Sequence, residues 1–306
     1  MHNITPLAYV TEVILCILYL QMKILNLMKN KIIYLGFIWF VVIVFNPHNS
    51  HAQFFDFPSR VIDKAKLVIT YTMKYKQDTN DLDFQREEPM LLIIGEKVSK
   101  FTSKNFYRFQ QLGRQAEQEG NLRAFLDGVP GSDLRSRFSY TIYKNHPKGA
   151  LSFVDKILPA FLIYEEDLND FQWLLLNEHD LLSDYTVQKA TMHYGGRNWT
   201  AWYTTEIPVN NGPYKFGGLP GLILKIHDSE EHYVFEMIAI ERMEEGILIE
   251  FHDMGWVKTN RKDFLKAEEN FRNDIISRAR EAGAGSSAQQ TAARNMARRN
   301  NPIELE

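Results

Sequence analysis

The segment Lys66-Leu-Val-Ile-Thr-Tyr-Thr-Met-Lys-Tyr-Lys76 sets Leu67, Ile69, Tyr71, Met73 and Tyr75 at every second position, with Thr70, Thr72, Lys74 and Lys76 between them. A period of two belongs to extended chain whose side chains alternate between faces, so this is a half-buried strand. Outward from it, a polar loop from Asp78 to Pro89 leads to a second apolar run, Met90 to Ile94, and the chain continues extended past Gly95 through Val98 and Phe101. Two such runs with a short link read as the first antiparallel pair of a sheet.

Between residues 105 and 127 the spacing turns helical (Phe106, Phe109, Leu112, then Leu122 and Phe125), interrupted by Gly113 and Gly120. Gly128-Val-Pro-Gly-Ser132 is a turn and Phe138 to Lys144 a strand. The sharpest local signal is Ala190 to Tyr194, then Gly195-Gly196, then Arg197 to Ile207: two β-prone runs joined by two glycines, which both reach positive φ without cost, as a tight primed hairpin turn requires. Leu222 to Ile226, Tyr233 to Ile240 and Ile247 to Phe251 add three strands. Phe264, Ala267, Phe271 and Ile275 make one apolar stripe of a last helix, 260–281, with Thr259 as N-cap. The pattern predicts an α+β fold. Its core is a strongly curved, mostly antiparallel, half-barrel-like sheet of eight or nine strands, with short helices inserted and a C-terminal helix packed on it. Residues 283–306, rich in Gly, Ser, Ala, Gln and Arg without apolar periodicity, read as a disordered tail.

Before the sheet stands Met28-Lys-Asn-Lys31, an apolar run from Ile32 to Phe45, Pro47, and Ser50-His51-Ala52. A basic start, a core of about 14 apolar residues and a small-x-small end have the form of a secretory signal cleaved between Ala52 and Gln53, and the run is short for a spanning helix. Translation is expected to start at Met28, and residues 53–282 to form a single β-rich domain. The sole cysteine, Cys16, precedes the cleavage site, so the exported part has no disulfide and no thiol nucleophile. Removal of residues 1–52 takes Lys23, Lys29, Lys31 and Glu12, leaving 32 basic and 37 acidic side chains where the whole chain has 35 and 38. Such a balance does not suit a nucleic-acid surface.

The sequence has no Gly-x-Ser-x-Gly elbow, and its glycine-rich stretch precedes a strand and contains a proline, which argues against nucleotide binding. His146, His179, His193, His227, His232 and His252 show no zinc-site spacing; a metal site would need His193, His227 and Asp228 to meet across strands. The acids Glu165, Glu166, Asp167 and Asp170 read as a solvated face, and adjacent acids such as Glu230 and Glu231 point to opposite sides of a strand.

At Gly217-Gly218-Leu219-Pro220-Gly221-Leu222-Ile223 the chain resembles the GLPGLI family of Bacteroidetes. Trp173, Lys189-Ala190, Gly196-Arg197-Asn198-Trp199, Ala201-Trp202, Ile207-Pro208 and Gly212-Pro213-Tyr214-Lys215-Phe216 stand upstream in similar order and approximate spacing. Many members carry a cysteine where this chain has Val187. The resemblance implies an exported protein of undetermined biochemical role and brings no catalytic residues. From the residues themselves, Pro220-Gly221 predicts a type II turn with Gly221 at positive φ. Alternation sets Trp199, Ala201 and Tyr203 on one face and Trp202 on the other, and Arg197 is expected to pair with Glu165 or Glu166. The expected function is non-enzymatic: an exported protein, periplasmic with surface-exposed or secreted fates as alternatives, without cofactor or bound metal, that holds an apolar or peptide-like ligand or an envelope partner near Arg197, Trp199, Trp202, Tyr214, Leu219 and Pro220. Metal handling and hydrolysis are the alternatives.

Overall fold

The computed structural model describes residues 55, 57–129, 132–157, 160–168, 171–244, 246–281 and 283–306. The expected signal, the Ala52–Gln53 cleavage site and Asp170 lie outside the described residues. Strand β1 (Ser59–Lys64) is followed by a meander of β2 (Leu67–Tyr75), β3 (Arg86–Ile94), β4 (Ser99–Ser103), β5 (Thr141–Lys144), β6 (Ala150–Ile157) and β7 (Ala160–Asp167). Helices α1 (Lys104–Gln118) and α2 (Leu122–Gly128) sit between β4 and β5. A second meander runs β8 (Leu174–Leu182), β9 (Tyr185–Tyr194), β10 (Arg197–Thr204), β11 (Leu222–Asp228) and β12 (Tyr233–Arg242). Then come β13 (Leu248–His252), β14 (Val257–Lys258), and helices α3 (Arg261–Asn273), α4 (Ile275–Glu281) and α5 (Ser286–Ala297).

The opening strand of the sequence reading is the hinge of the sheet. β2 pairs with β3 on one side and with β12 on the other, from Leu67 opposite Arg242 to Tyr75 opposite Tyr233. This contact joins the two meanders into one twelve-stranded, strongly curved sheet of order 14-7-6-5-4-3-2-12-11-10-9-8, antiparallel throughout except for β14 on β7, and not closed into a barrel. β1 and β13 form a separate two-stranded ribbon. On β2, Ile69, Tyr71, Met73 and Tyr75 all enter the main core, as the period of two demands. The α+β class and the curved antiparallel sheet are as the sequence indicates, but the strands outnumber the eight or nine expected. β1, β6, β7 and β8 went unread because each carries acids or breaks alternation; β8, Leu174-Leu-Leu-Asn-Glu-His-Asp-Leu-Leu182, is an exposed edge with no period at all.

Local signals fare unevenly. Gly195 and Gly196 have φ of 59° and 73° and close the β9–β10 hairpin as predicted. Gly113 does not interrupt α1; the break is at Gly120, with φ of 75°. The cap of α3 is Asn260, whose side chain accepts from the Asp263 N–H, one residue beyond Thr259. The expected disordered tail is instead folded: α5 is followed by an extended segment whose Asn301 and Glu304 are buried, because these polar groups meet buried cations described below.

The Pro220-Gly221 turn is also different. Gly221 is absent from the positive-φ glycines, and its N–H bonds the Leu219 carbonyl at 2.8 Å, a three-residue turn centred on Pro220, whose fixed φ suits it. Glycine is needed at 221 for a different reason: a Cβ there would lie 2.0 Å from the Thr204 carbonyl oxygen. Gly221→Ala is therefore expected to lower stability by more than about 2 kcal/mol through overpacking against backbone. Gly218→Ala, where φ is 83° but the space is open, should cost only about 1 kcal/mol. Urea denaturation of the two variants checks the order, and a smaller loss at 221 than at 218 would refute the close-approach account.

Candidate functional site

The concave face of the sheet is where sequence reasoning put the ligand. The loop 207–222 between β10 and β11 fills it. From β10 this loop reaches Lys144 on β5, whose Nζ donates to Asn211 Oδ1 (2.9 Å) and to the carbonyls of Gly212 (2.8 Å) and Phe216 (2.6 Å). Asn211 Nδ2 donates to Ser99 Oγ on β4 and Trp173 Nε1 to the Gly217 carbonyl. Six strand steps separate β10 from β5, roughly 29 Å along a flat sheet at about 4.8 Å per step, so only strong curvature lets one loop span them.

The predicted binding residues are consequently mostly core. Trp199 is 2% exposed, lies 4.6 Å from the Phe216 ring and donates from Nε1 to the Tyr194 carbonyl. Tyr214 and Leu219 are buried; Trp202 is half-buried on the other face, with Lys189 Nζ 5.7 Å over its ring; Pro220 is exposed. Val187 is also fully buried.

Arg197 is an architectural residue rather than a surface clamp. Its partner is Asp228 at 2.8 Å, not Glu165 or Glu166, because β11 runs directly beside β10. The same guanidinium donates to Asn301 Oδ1 (2.6 Å) and to the carbonyls of Pro302 and Ile303, and stands 5.3 Å over the Tyr233 ring. Glu166 belongs to Lys215, at 2.6 Å. The Lys215 ammonium, whose side chain is wholly buried, also meets Glu304 Oε1 at 2.7 Å and Tyr194 OH at 3.1 Å, inside a cage of Phe153, Tyr164, Tyr194 and Tyr214 rings 5.0–5.7 Å away. Glu304 further accepts from Tyr214 OH and Arg261 Nε, each at 2.5 Å. Burial pushes the Glu304 carboxyl up, yet Lys215, Arg261 and the hydrogen bonds outweigh it and hold it below its ordinary 4.5.

An open cavity lies on the opposite, convex face. Alternation along β4 and β5 sends Phe101 and Ile142 into the core and Lys100 and Tyr143, paired across the strands, outward. There α1, β13 and the segments around Phe57 and Trp256 cover the sheet incompletely and leave a chamber of 430 Å³. Its walls are the rings of Phe55, Phe57, Phe106, Phe109, Phe161 and Trp256 with Val154 and Met254. α1 starts with Ser103 Oγ accepting from the Phe106 N–H, which fixes the pitch of Phe106 and Phe109. Gly113 lets the Phe55 ring lie against the helix, since a Cβ would come within 2.5 Å of it. Phe161 stands edge-on to Phe57 (6.1 Å) and Trp256 (5.9 Å).

Besides Gln110, Ser139, Thr141, Asp155 and Lys156, the polar lining includes Lys100, Arg114 and His252. Arg114 bonds Glu250 at 3.3 Å and His252 Nε2 at 3.1 Å. A guanidinium only donates, so Nε2 accepts and the imidazole proton is on Nδ1. Arg114 Nε and His252 Nδ1 are buried without a partner among the described residues. Burial pushes the Lys100 amine down to about 8, with Glu250 opposing and Arg114 assisting, and the His252 imidazole down to about 4, with Lys100 and Arg114 assisting. At neutral pH His252 is neutral and Lys100 charged. Sequence reasoning missed Lys100 and Arg114, since a lone lysine or arginine on the polar side of an amphipathic element looks like solvated surface. No three His, Cys, Asp or Glu side chains gather as a metal site among the described residues, and the His193, His227 and Asp228 grouping is not formed.

Residues 196–225, from the hairpin glycine through β10 and the buried loop into β11, match the model of a family described as a protein of unknown function (Porph_ging). No curated protein matches the chain. Two solved structures of PNGF-II, in space groups P21 and C2, superpose with a TM-score of 0.45 at 13% identity over 68% of this chain. The chain spans about a third of that protein's length, 34% and 33%.

The charged interior gives a pH test. Because the folded Glu304 pKa lies below the unfolded one, its contribution is complete above 4.5 and lost as pH falls through the folded value. Glu304→Gln is expected to be about 3 kcal/mol less stable at neutral pH, leaving Lys215 short of a partner. The gap to wild type should narrow on acidification below 4.5. Urea titrations across that range check it; a gap that stays constant would show that Glu304 carries no charge-dependent stabilisation.

Proposed function

We propose that this is an exported, non-enzymatic binding protein of the GLPGLI type that holds one apolar or peptide-like ligand, and that the ligand sits in the aromatic chamber under α1 rather than in the concavity near Trp199 and Trp202. The carrying observation is the chamber itself: 430 Å³ lined by seven Phe, Tyr and Trp rings, Tyr143 among them, the size and lining of a small-molecule site. A periplasmic address is supported by the signal-like stretch from Met28 to Ala52. No helix among the described residues is long and apolar enough to cross a membrane.

An envelope protein as partner is a second reading, favoured by β8. Its outer edge is unpaired among the described residues, and Leu174, Leu175 and Leu181 are 63%, 49% and 65% exposed. A strand from another chain could extend the sheet there. Neither metal handling nor hydrolysis has a specific observation in its favour.

The uncharged fluorophore N-phenyl-1-naphthylamine is expected to bind the purified full chain saturably at one site. Phe161→Glu, which puts a charge into the wall, should weaken that binding at least tenfold with the melting temperature within a few degrees of wild type. Absence of saturable binding, or equal binding by the variant, would sink the chamber as the ligand site.

A further inference from the structure

Three lysines are buried in the described residues: Lys100, Lys144 and Lys215, exposed by 5%, 4% and 1%. They form an internal comparison. Lys144 gives its three N–H groups to three oxygens, and Lys215 meets two carboxylates and a phenol. Lys100 has no hydrogen bond and no ion pair among the described residues; its Nζ lies only over the rings of Tyr107 (5.5 Å) and Tyr143 (5.6 Å). Its Nζ borders the open chamber, so the groups that can meet it are those that enter the chamber, whereas Lys144 and Lys215 are met by the protein itself.

The surroundings leave that charge unbalanced. Glu250 is taken by Arg114, and His252 is neutral at pH 7, so Lys100, Arg114 and Glu250 leave one positive charge, and Lys156, whose Nζ stands 5.2 Å over the Phe161 ring of the same wall, brings a second cation. The acid of the chamber, Asp155, accepts from Ser139 Oγ (2.6 Å) and the Lys156 N–H (2.7 Å); burial pushes its carboxyl up to about 7, so it offsets at most one of the two cations. Against aromatic walls, an unmet cation calls for a molecule with a long apolar body and one anionic end.

We infer that the chamber takes an aliphatic carboxylate whose head group pairs with Lys100 and whose chain lies among Phe106, Phe109, Phe161 and Trp256. This rests on the chamber being the ligand site. A carboxylate accepts from the ammonium and leaves its second oxygen near the Arg114 side, making the charge-assisted bond that Lys100 lacks. No covalent step is involved.

The test is displacement of N-phenyl-1-naphthylamine from the full chain at pH 7 by dodecanoate and by 1-dodecanol, which share an apolar chain length. Wild type should prefer dodecanoate at least tenfold. Lys100→Met should weaken dodecanoate at least tenfold, leave dodecanol within twofold, and melt no lower than wild type, because Lys100 makes no hydrogen bond or ion pair among the described residues that the substitution would break. That combination of lost selectivity with undiminished stability is one that a structural lysine would not give. Lys100→Gln serves if the methionine variant does not fold. Equal displacement by acid and alcohol on wild type, or parallel weakening of both in the variants, overturns the carboxylate assignment while the chamber stands. If the fluorophore does not bind wild type, the ligand site and the assignment fall together.

Discussion

A loop placed inside the concave face of a β-sheet carries its peptide groups to a place without water, and each must be met by protein. The Lys144 ammonium is the main device by which this chain does so, since one side chain on β5 satisfies three oxygens of the loop 207–222. Burial pushes that amine well below its ordinary value, yet three acceptors around one nitrogen are what three ammonium N–H groups supply. The loop adds short internal bonds, Val209 N–H to Ile207 and Gly221 N–H to Leu219, each around or beside a proline whose missing donor removes one group needing a partner. Curvature and loop are thus one problem: the sheet must bend for β5 to reach the loop, and the loop must be satisfied for the bend to hold a dry interior.

The same constraint explains the C-terminal segment. Lys215 and Arg197 are cations carried into the core by the loop and by β10, and neither is complete until residues 301–304 arrive with Asn301, two carbonyls and Glu304. Replacing such networks with apolar groups is often neutral or stabilising, so their worth lies less in net energy than in allowing one position only. An apolar residue at 304 could slide along the aromatic cage; a carboxylate bonded at once to Lys215, Tyr214 and Arg261 cannot.

The sequence carried the strands that alternate and the glycines that turn: β2, the Gly195-Gly196 hairpin and the stripe of α3 follow from period and φ alone. It did not carry β7 and β8, where Glu165, Glu166 and a run of leucines erase alternation, nor the tail, whose Asn301 and Glu304 look like solvent residues until Arg197 and Lys215 are seen to need them. Local pattern reports which face a residue takes, not what stands opposite it. That limit hid the burial of Trp199, Tyr214 and Leu219. The conspicuous motif, Trp199 with the Gly-Leu-Pro-Gly turn, is conspicuous because packing a loop into a sheet demands particular shapes, as the 2.0 Å approach of a would-be Gly221 Cβ to Thr204 demonstrates.

The two faces of the sheet therefore follow opposite rules. On the concave side Arg197, Lys144 and Lys215 each have protein partners, and the segment that carries the recognisable motif packs into the core. On the convex side the cover comes from pieces far apart in sequence, Phe55 and Phe57, helix α1, and the stretch from His252 to Trp256, and they meet over Lys100 and Tyr143 without closing. Such a lid is cheap to leave imperfect, because aromatic edges tolerate a gap that a hydrogen-bonded loop cannot. A fold that satisfies Lys144 and Lys215 so completely has shown that it can supply oxygens to a buried amine. Lys100 borders the aromatic chamber instead, its Nζ over rings and not against oxygens, and that contrast is what the carboxylate proposal rests on.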